Sequence, residues 1–144
     1  GLNGKPLAAK GKYPSVIACS ITNGSMPKIS NRKYDKPIPM VTHRGSESFI
    51  TGIDSKTTVT YKWFDFENES GIISLDVDPS AKGTIHIFAN EDEIATAEVM
   101  PTGRKNVEAR YRISSKNKQA LTISYSGNGK VDLYSLEFKE DNPA

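Results

Sequence analysis

The sequence has few of the residues that build disulfide frameworks, zinc sites or membrane spans. Cys19 is the only cysteine in 144 residues, so no internal disulfide can form, and no cysteine or histidine pair has zinc-ligand spacing. No apolar stretch approaches the roughly 18–20 residues that a membrane-spanning helix needs. Lys and Arg number 19 and Asp and Glu number 17, with both signs scattered along the chain. We therefore expect no membrane insertion, no nucleic-acid partner and no metal.

The sequence also lacks a recognisable catalytic motif. His43 and His86 are the only histidines, and neither lies near a serine or cysteine in a nucleophile motif. His86 falls within a strand pattern, which favours a solvent-facing or hydrogen-bonded histidine over a catalytic one. The acidic residues at 67–69 and 91–93 lie in turns, where solvated charge is the usual role. We predict no catalytic residues, no cofactor and no enzymatic activity for this chain by itself.

Short alternating runs separated by turn residues dominate the rest of the sequence. In the clearest run, Asn106 to Ile113, apolar residues face one way and charged residues the other, which indicates a half-buried strand. Weaker runs share this character, at 16–21, 49–53, 72–77, 84–89, 94–99, 120–125 and 131–138. The segment Gly127-Asn128-Gly129 reads as a hairpin turn between two strands. The sequence thus predicts an all-β sandwich of about eight to nine antiparallel strands.

The ends and one internal segment stand apart from this pattern. We expect residues 1–12 to be a linker remnant, residues 13–140 to be the β-sandwich domain, and residues 141–144 to be a tail. The segment from Asn23 to Arg44 contains Pro27, Pro37 and Pro39, which predicts a long loop or an irregular edge.

The run from Tyr61 to Phe66 places four aromatic residues in six positions. Strict alternation would put aromatic rings on both faces, so either a bulge changes the phase of the strand or the long loop covers one face. We predict that Phe64 and Phe66 lie inside, and that Tyr61 and Trp63 lie under the long loop or at a cleft. The alternative is that all four rings belong to the core.

Three segments carry a family resemblance: "ITGIDSKTTVTYKWFDF", "GTIHIFANEDEIATAEVMPTGRKNVEARYRIS" and "QALTISYSGNGKVDLYSLEF". In this order they resemble the family 6 carbohydrate-binding modules, in the version that follows the catalytic domain of family 43 glycoside hydrolases. The resemblance covers about two thirds of the chain, from Phe49 to Phe138. It implies a β-jelly-roll sandwich that acts outside the cytoplasm, whether periplasmic, on the cell surface or secreted.

The resemblance also implies a binding site, with departures in this chain. The family holds a sugar between two aromatic rings, and Phe49 matches the first. The turn that supplies the second ring reads Thr102-Gly103-Arg104-Lys105 here, so that ring is missing. The family's ligand-facing asparagine falls near Asn128 or Lys130, and only Asn128 retains the chemistry. The family's calcium carboxylates are replaced by Ala18-Cys19-Ser20, and Asp132 by itself cannot hold calcium, so we predict none.

Two functions remain open. The first is a binding module that presents a plant-type polysaccharide, of the xylan or arabinan class, to a hydrolase domain of the same parent chain. Its candidate ligand contacts are Phe49, Trp63, Arg104, Lys105 and Asn128. The second is a structural accessory domain that packs on the catalytic domain and has no sugar affinity of its own.

Overall fold

The computed structural model describes residues 7–17, 20–23, 40–44, 47–114 and 118–140, and this part of the chain forms two layers of β-sheet. It contains one short 3-10 helix, Ser15–Ile17, so the prediction of a strand over 16–21 is wrong for its first two residues, and a strand begins only at Ser20. The first strands are β1 (Leu7–Ala8), β2 (Gly11–Pro14), β3 (Ser20–Asn23), β4 (Met40–Arg44), β5 (Glu47–Ile53) and β6 (Thr57–Asp65). The remaining strands are β7 (Ser70–Pro79), β8 (Gly83–Ala89), β9 (Asp92–Val99), β10 (Lys105–Arg112), β11 (Gln119–Gly127) and β12 (Val131–Lys139).

The strands divide into two six-stranded sheets that pack face to face. Sheet A has the order β1-β6-β11-β8-β9, with β3 also paired to β6, and sheet B has the order β10-β7-β12-β5-β4, with β2 also paired to β12. The predicted all-β sandwich is therefore confirmed. The described residues contain twelve strands, more than the eight to nine expected, because β1, β2 and β4 are short pairings without a strong alternation. One pair, β1 with β6, is parallel.

The predicted linker includes residues that pair with the sandwich. Residues 7–12 contribute all of β1 and the start of β2, so for them the linker expectation is wrong at the level of secondary structure. Tyr13 of β2 packs its ring edge-on against Phe64 and Phe138, with ring centroids 5.5 and 6.1 Å apart. The domain boundaries themselves stay a prediction. Most of the expected Pro-rich loop lies outside the described residues, but its last five residues form β4.

The core forms where the inner faces of the two sheets meet. The alternation predicted for β10 is confirmed, because Ala109, Tyr111 and Ile113 are buried in the core and Val107 packs against it. Its charged residues are exposed. Removal of this apolar surface from water is the main favourable contribution to folding.

A β-bulge in β6 settles the position of the aromatic run. Leu121 of β11 pairs with Tyr61 and Gln119 pairs with Phe64, so two residues of β6 lie opposite Ala120 alone. The extra residue reverses the alternation, and Tyr61 and Phe64 both enter the core. The prediction that Phe64 and Phe66 lie inside is confirmed. The prediction for Tyr61 is wrong, since its side chain is 1% exposed, whereas Trp63 is half-buried.

The turn around Asn128 differs from the predicted hairpin. It joins β11 to β12 as expected, but these strands belong to different sheets, so the turn is a crossover at the end of the sandwich. Gly127 has a φ of 134°, and a Cβ atom at this residue would lie 2.8 Å from the Cα atom of Gly83. Glycine is therefore required here both for its backbone conformation and for the close approach of two strands.

We predict that Tyr61→Phe lowers the free energy of unfolding by about 1–2 kcal/mol. The buried Tyr61 hydroxyl donates a 3.0 Å hydrogen bond to the backbone carbonyl of Ser15, and the variant leaves that carbonyl without its partner. Burial also raises the pKa of Tyr61 far above its usual value, so the hydroxyl stays protonated. Urea denaturation is the measurement. Tyr111→Phe is the control, because the Tyr111 hydroxyl has no hydrogen-bond partner among the described residues, and equal losses for both variants would contradict the prediction.

Candidate functional site

A cluster on the outer face of sheet B brings together two of the predicted site residues. We call it the Arg104 cluster; its members are Glu47, Phe49, Asp76, Arg104 and Tyr134. Ile50 points into the core, and because neighbouring residues of a strand face opposite sides, the ring of Phe49 points outward. A register shift between Leu133 and Ser135 marks an irregularity in β12 at Tyr134, and the rings of Tyr134 and Phe49 stack with centroids 4.4 Å apart.

Arg104 is held in this cluster by two carboxylates. Its Nε and Nη2 atoms donate to Asp76 at 3.1 and 2.8 Å, and its Nη1 and Nη2 atoms donate to Glu47 at 2.8 and 2.7 Å. These hydrogen bonds, first to Asp76 and then to Glu47, raise the pKa of Arg104 above its usual value. The guanidinium group also lies 3.6 Å from the ring centroid of Tyr134. Arg104 is thereby charged and fixed.

The cluster leaves little aromatic surface for a ligand. Arg104 covers one face of the Tyr134 ring, and Phe49 covers the other. The side chain of Phe49 is only 3% exposed, which argues against direct stacking of a sugar on its ring. Its assignment as a ligand contact stays a prediction. The accessible groups are the carboxylate oxygens of Glu47 and the edge of Arg104, which suit hydrogen bonds to polar ligand groups.

Lys105 and Asn128 lie at the end of the sandwich where β7 ends. Lys105 is exposed at the first position of β10, opposite Val77. Asn128 is exposed in the crossover turn, and its backbone carbonyl accepts a 2.5 Å hydrogen bond from the hydroxyl of Tyr125. The structure therefore groups Phe49, Arg104 and Lys105 on or beside sheet B, with Asn128 at the same end.

Trp63 lies on the opposite side of the molecule. The outer side of sheet A, which we call the sheet A face, carries polar side chains between the buried residues of β6, β8 and β11. Its members are Thr58, Thr60, Lys62, Trp63, Thr84, His86, Phe88, Thr122, Ser124 and Ser126. The ammonium groups of Lys62 and Lys118 lie 5.4 and 5.1 Å from the Trp63 ring centroid. Trp63 is therefore separated from the other four predicted contacts.

His86 is fixed at the middle of the sheet A face. Its Nδ1 atom is 2.5 Å from a carboxylate oxygen of Glu93, and its Nε2 atom is 2.7 Å from the hydroxyl oxygen of Ser126. The prediction of a hydrogen-bonded histidine is confirmed. Although acid, imidazole and hydroxyl follow one another as in a catalytic triad, they lie on an open strand face, so we assign them to the positioning of the imidazole.

Other polar contacts bear on the predicted absence of calcium. Asp132 accepts hydrogen bonds from the Thr51 hydroxyl at 2.6 Å and from the Gly52 amide at 3.1 Å. No three acidic, histidine or cysteine side chains gather into a metal site within the described part of the chain. Residues 18 and 19 lie outside the described residues, so the absence of calcium stays a prediction.

The described residues also contain no helix that is long and apolar enough to cross a membrane.

The sequence reasoning missed the partners of both sites. Glu47, Asp76 and Tyr134 in the Arg104 cluster were not singled out, nor were Glu93 and Ser126 around His86. Alternation within β7 does place Asp76 on the outer face, which is the available signal. The pairing of the Asp76 carboxylate with Arg104 could not be predicted, because it depends on how strands that are distant in sequence come together.

Comparisons with known proteins define the class of fold as that of the family 6 carbohydrate-binding modules. No protein-family model matches the sequence, and no curated protein sequence matches it significantly. A family 6 module of Clostridium stercorarium, solved in complex with cellobiose, is similar with 17% identity and a TM-score of 0.76, over 96% of this chain and 99% of that chain.

Two further solved structures are similar. One is a family 6 module from Clostridium cellulolyticum in complex with xylose, with 16% identity and a TM-score of 0.70, over 93% of this chain and 100% of that chain. The other is a family 43 arabinoxylan arabinofuranohydrolase from Bacillus subtilis in complex with cellotetraose. It has 10% identity and a TM-score of 0.70, over 94% of this chain but 28% of that chain. At these identities the similarity establishes the fold.

We predict that Arg104→Ala lowers the free energy of unfolding by about 1 kcal/mol at low salt. The variant leaves two carboxylates without their cation and uncovers one face of Tyr134. Since the ion pairs are partly exposed, the loss should shrink as salt is added. Urea denaturation at low and high NaCl tests this, with Lys105→Ala as the control expected within about 0.5 kcal/mol of the parent protein. Equal effects for the two variants would show that the cluster contributes no stability.

Proposed function

We propose that this chain is a non-catalytic carbohydrate-binding domain that accompanies a polysaccharide-degrading glycoside hydrolase. The fold supports the binding class, because the similar structures are carbohydrate-binding modules. The similarity to part of a family 43 enzyme supports a hydrolase as the parent. We further propose a plant polysaccharide of the xylan or arabinan class as the ligand, and a location outside the cytoplasm, where such polymers are degraded.

The half-buried Trp63 on the sheet A face is the observation that carries the proposal. Indole is the largest aromatic surface in proteins, and stacking on it removes the C–H face of a sugar from water. The bulge of β6 directs Trp63 away from the core, in which Tyr61 and Phe64 lie. Within the described part of the chain, no aromatic ring stacks on Trp63 as Phe49 stacks on Tyr134, and the ammonium groups of Lys62 and Lys118 lie over its ring.

The rest of the sheet A face suits an extended oligosaccharide. Phe88, which is also half-buried, lies two strands across and about two residues along from Trp63, which corresponds to roughly 12 Å. Between them the hydroxyl oxygens of Thr60 and Thr122 are 3.2 Å apart, and His86 lies in the next row. Hydroxyl and imidazole groups at fixed positions can exchange hydrogen bonds with sugar hydroxyls. One chain lying across the strands could contact both aromatic rings and these polar groups.

The Arg104 cluster supplies a second, smaller group of contacts in this proposal. Arg104, Lys105 and Asn128 lie at the same end of the molecule and offer hydrogen-bonding groups without an open aromatic ring. We propose them as polar contacts for a chain end or a side branch.

A structural accessory domain without sugar affinity is the second candidate. It is favoured by the burial of Phe49 and by the use of four N–H groups of Arg104 within the protein. In that case the outer face of sheet B packs on the catalytic domain of the same parent chain.

We predict that Trp63→Ala weakens binding of xylo- or arabino-oligosaccharides at least tenfold, which corresponds to about 1.4 kcal/mol. Trp63 is the only tryptophan, so the fluorescence of the parent protein reports on this face. Isothermal titration calorimetry measures both proteins, and Arg104→Ala, on the opposite face, should weaken binding by less than Trp63→Ala does.

The possible outcomes separate the candidates. Calorimetry that detects no binding of either sugar class to the parent protein would contradict the binding function and favour the structural role. Binding that survives Trp63→Ala but is lost in Arg104→Ala would keep the binding function and move the site to sheet B.

A further inference from the structure

Strand β10 forms an edge of sheet B. In the part of the chain that the structure describes, β10 pairs with β7 along all eight of its residues and has no strand on its other side. The backbone N–H and C=O groups on that side form no ladder with a described strand, although β9 of sheet A lies close to β10 without pairing with it. Natural edge strands usually carry features that oppose pairing, such as charged side chains, proline or a bulge, and charges of a single sign would repel a second copy. The charges of β10 have a different pattern.

The outer side chains of β10 change sign along the strand. Asn106, Glu108, Arg110 and Arg112 face outward and are exposed. Alternate residues face the core, as described above. The strand therefore presents one carboxylate followed by two guanidinium groups at every second position. In antiparallel pairing, such side chains face the side chains of the neighbouring strand at close range.

We propose that β10 pairs with β10 of a second copy of this chain, in an antiparallel two-fold arrangement centred on Ala109. A two-fold pairing places residues at equal distances from the centre opposite each other. Centred on Ala109, Glu108 of each copy lies opposite Arg110 of the other, so two opposite-charge pairs form. Asn106 then lies opposite Arg112, and no like charges meet.

Other centres are less favourable. Centred on Glu108 or Arg110, the pairing places that residue opposite its own copy, which brings like charges together. Centred on Tyr111, it places Arg110 opposite Arg112 in both halves. Centred on Val107, it offers only Glu108 opposite Asn106. The sequence of β10 thus selects one register, as cross-strand pairs do within a sheet.

The core-facing side chains fit the same register. Around Ala109, Val107 of one copy lies opposite Tyr111 of the other, so the half-buried Val107 gains apolar cover. The edge strand of sheet A does not offer this complementarity, because the outward charges of β9 are all acidic, at Asp92, Glu93 and Glu98. Self-pairing of β9 would bring carboxylates together.

The pairing would exchange contacts that the charged residues of β10 already make within their own chain. Glu108 lies 3.6 Å from the ammonium group of Lys139, and both side chains are about half exposed, so this pair contributes little. Arg110 also has an interaction within its own chain. A single strand pairing is smaller than a typical stable interface, so we expect a dissociation constant on the order of 0.1–1 mM. The proposal does not depend on sugar binding, although two sheet A faces in one particle would raise avidity for a polymer.

Sedimentation velocity of the full chain, from roughly 10 μM to 1 mM, tests the proposal. We expect the parent protein to shift from monomer to dimer over this range. Arg110→Glu should abolish the shift because it places two carboxylates opposite each other at two points. Glu108→Arg should do the same with two guanidinium groups. The double variant Glu108→Arg/Arg110→Glu restores opposite charges at both points and should recover the dimer.

Controls make the outcome decisive. Glu98→Arg, on the edge of sheet A, should leave association unchanged, and circular dichroism checks that each variant is folded. Hydrogen exchange of the β10 amides in the parent protein should slow at high concentration, which needs no variant. A parent protein that stays monomeric at 1 mM, a dimer that survives Arg110→Glu, or a double variant that stays monomeric would each overturn the proposal.

Discussion

The bulge in β6 is the constraint on which the rest of the structure depends. Lys62 and Trp63 together lie opposite one residue of β11, and this extra residue reverses the alternation of the strand. Before the bulge, Val59 and Tyr61 face the core, and after it Phe64 and Phe66 do. A regular strand would place either the first pair or the second pair in water. Since each buried aromatic ring contributes strongly to the core, the bulged arrangement is the one that buries all of them.

The two outer faces differ in how they use their aromatic rings. The bulge leaves Trp63 on the sheet A face, beside hydroxyl groups and lysines. On sheet B, the outward rings of Phe49 and Tyr134 stack on each other. The guanidinium group of Arg104 lies over the Tyr134 ring and is hydrogen-bonded to two carboxylates. One face thus offers an aromatic ring to solvent, and the other uses its rings for internal packing. Among the described residues, the ring that suits ligand stacking in the proposed function is therefore Trp63 on sheet A.

Much of the fold could be predicted from sequence because alternation and turn residues are local signals. The eight strands from β5 to β12 were found this way, whereas the run at 16–21 overlaps β3 only at its end, and β1, β2 and β4 are too short to show a period. The fate of Tyr61 could not be predicted, because the position of the bulge depends on Ala120, which is distant in sequence. The Arg104 cluster was unpredictable for the same reason, since its carboxylates lie 57 and 28 residues away along the chain. The strands of the sandwich are indicated by residues close together in the sequence, whereas the candidate sites form from residues that are far apart in the sequence.

The position of Arg104 over the Tyr134 ring has a physical consequence for recognition. A guanidinium group is planar and can occupy the space over a ring, but it brings a charge that must be balanced. Glu47 and Asp76 supply that balance and use four of its N–H groups. A sugar could displace Arg104 from Tyr134 only by breaking these charge-assisted hydrogen bonds, which are stronger than those that neutral hydroxyls return. In the proposed binding function, affinity for a neutral polysaccharide therefore arises mainly from surfaces where no such network has to be broken, and Trp63 lies on one.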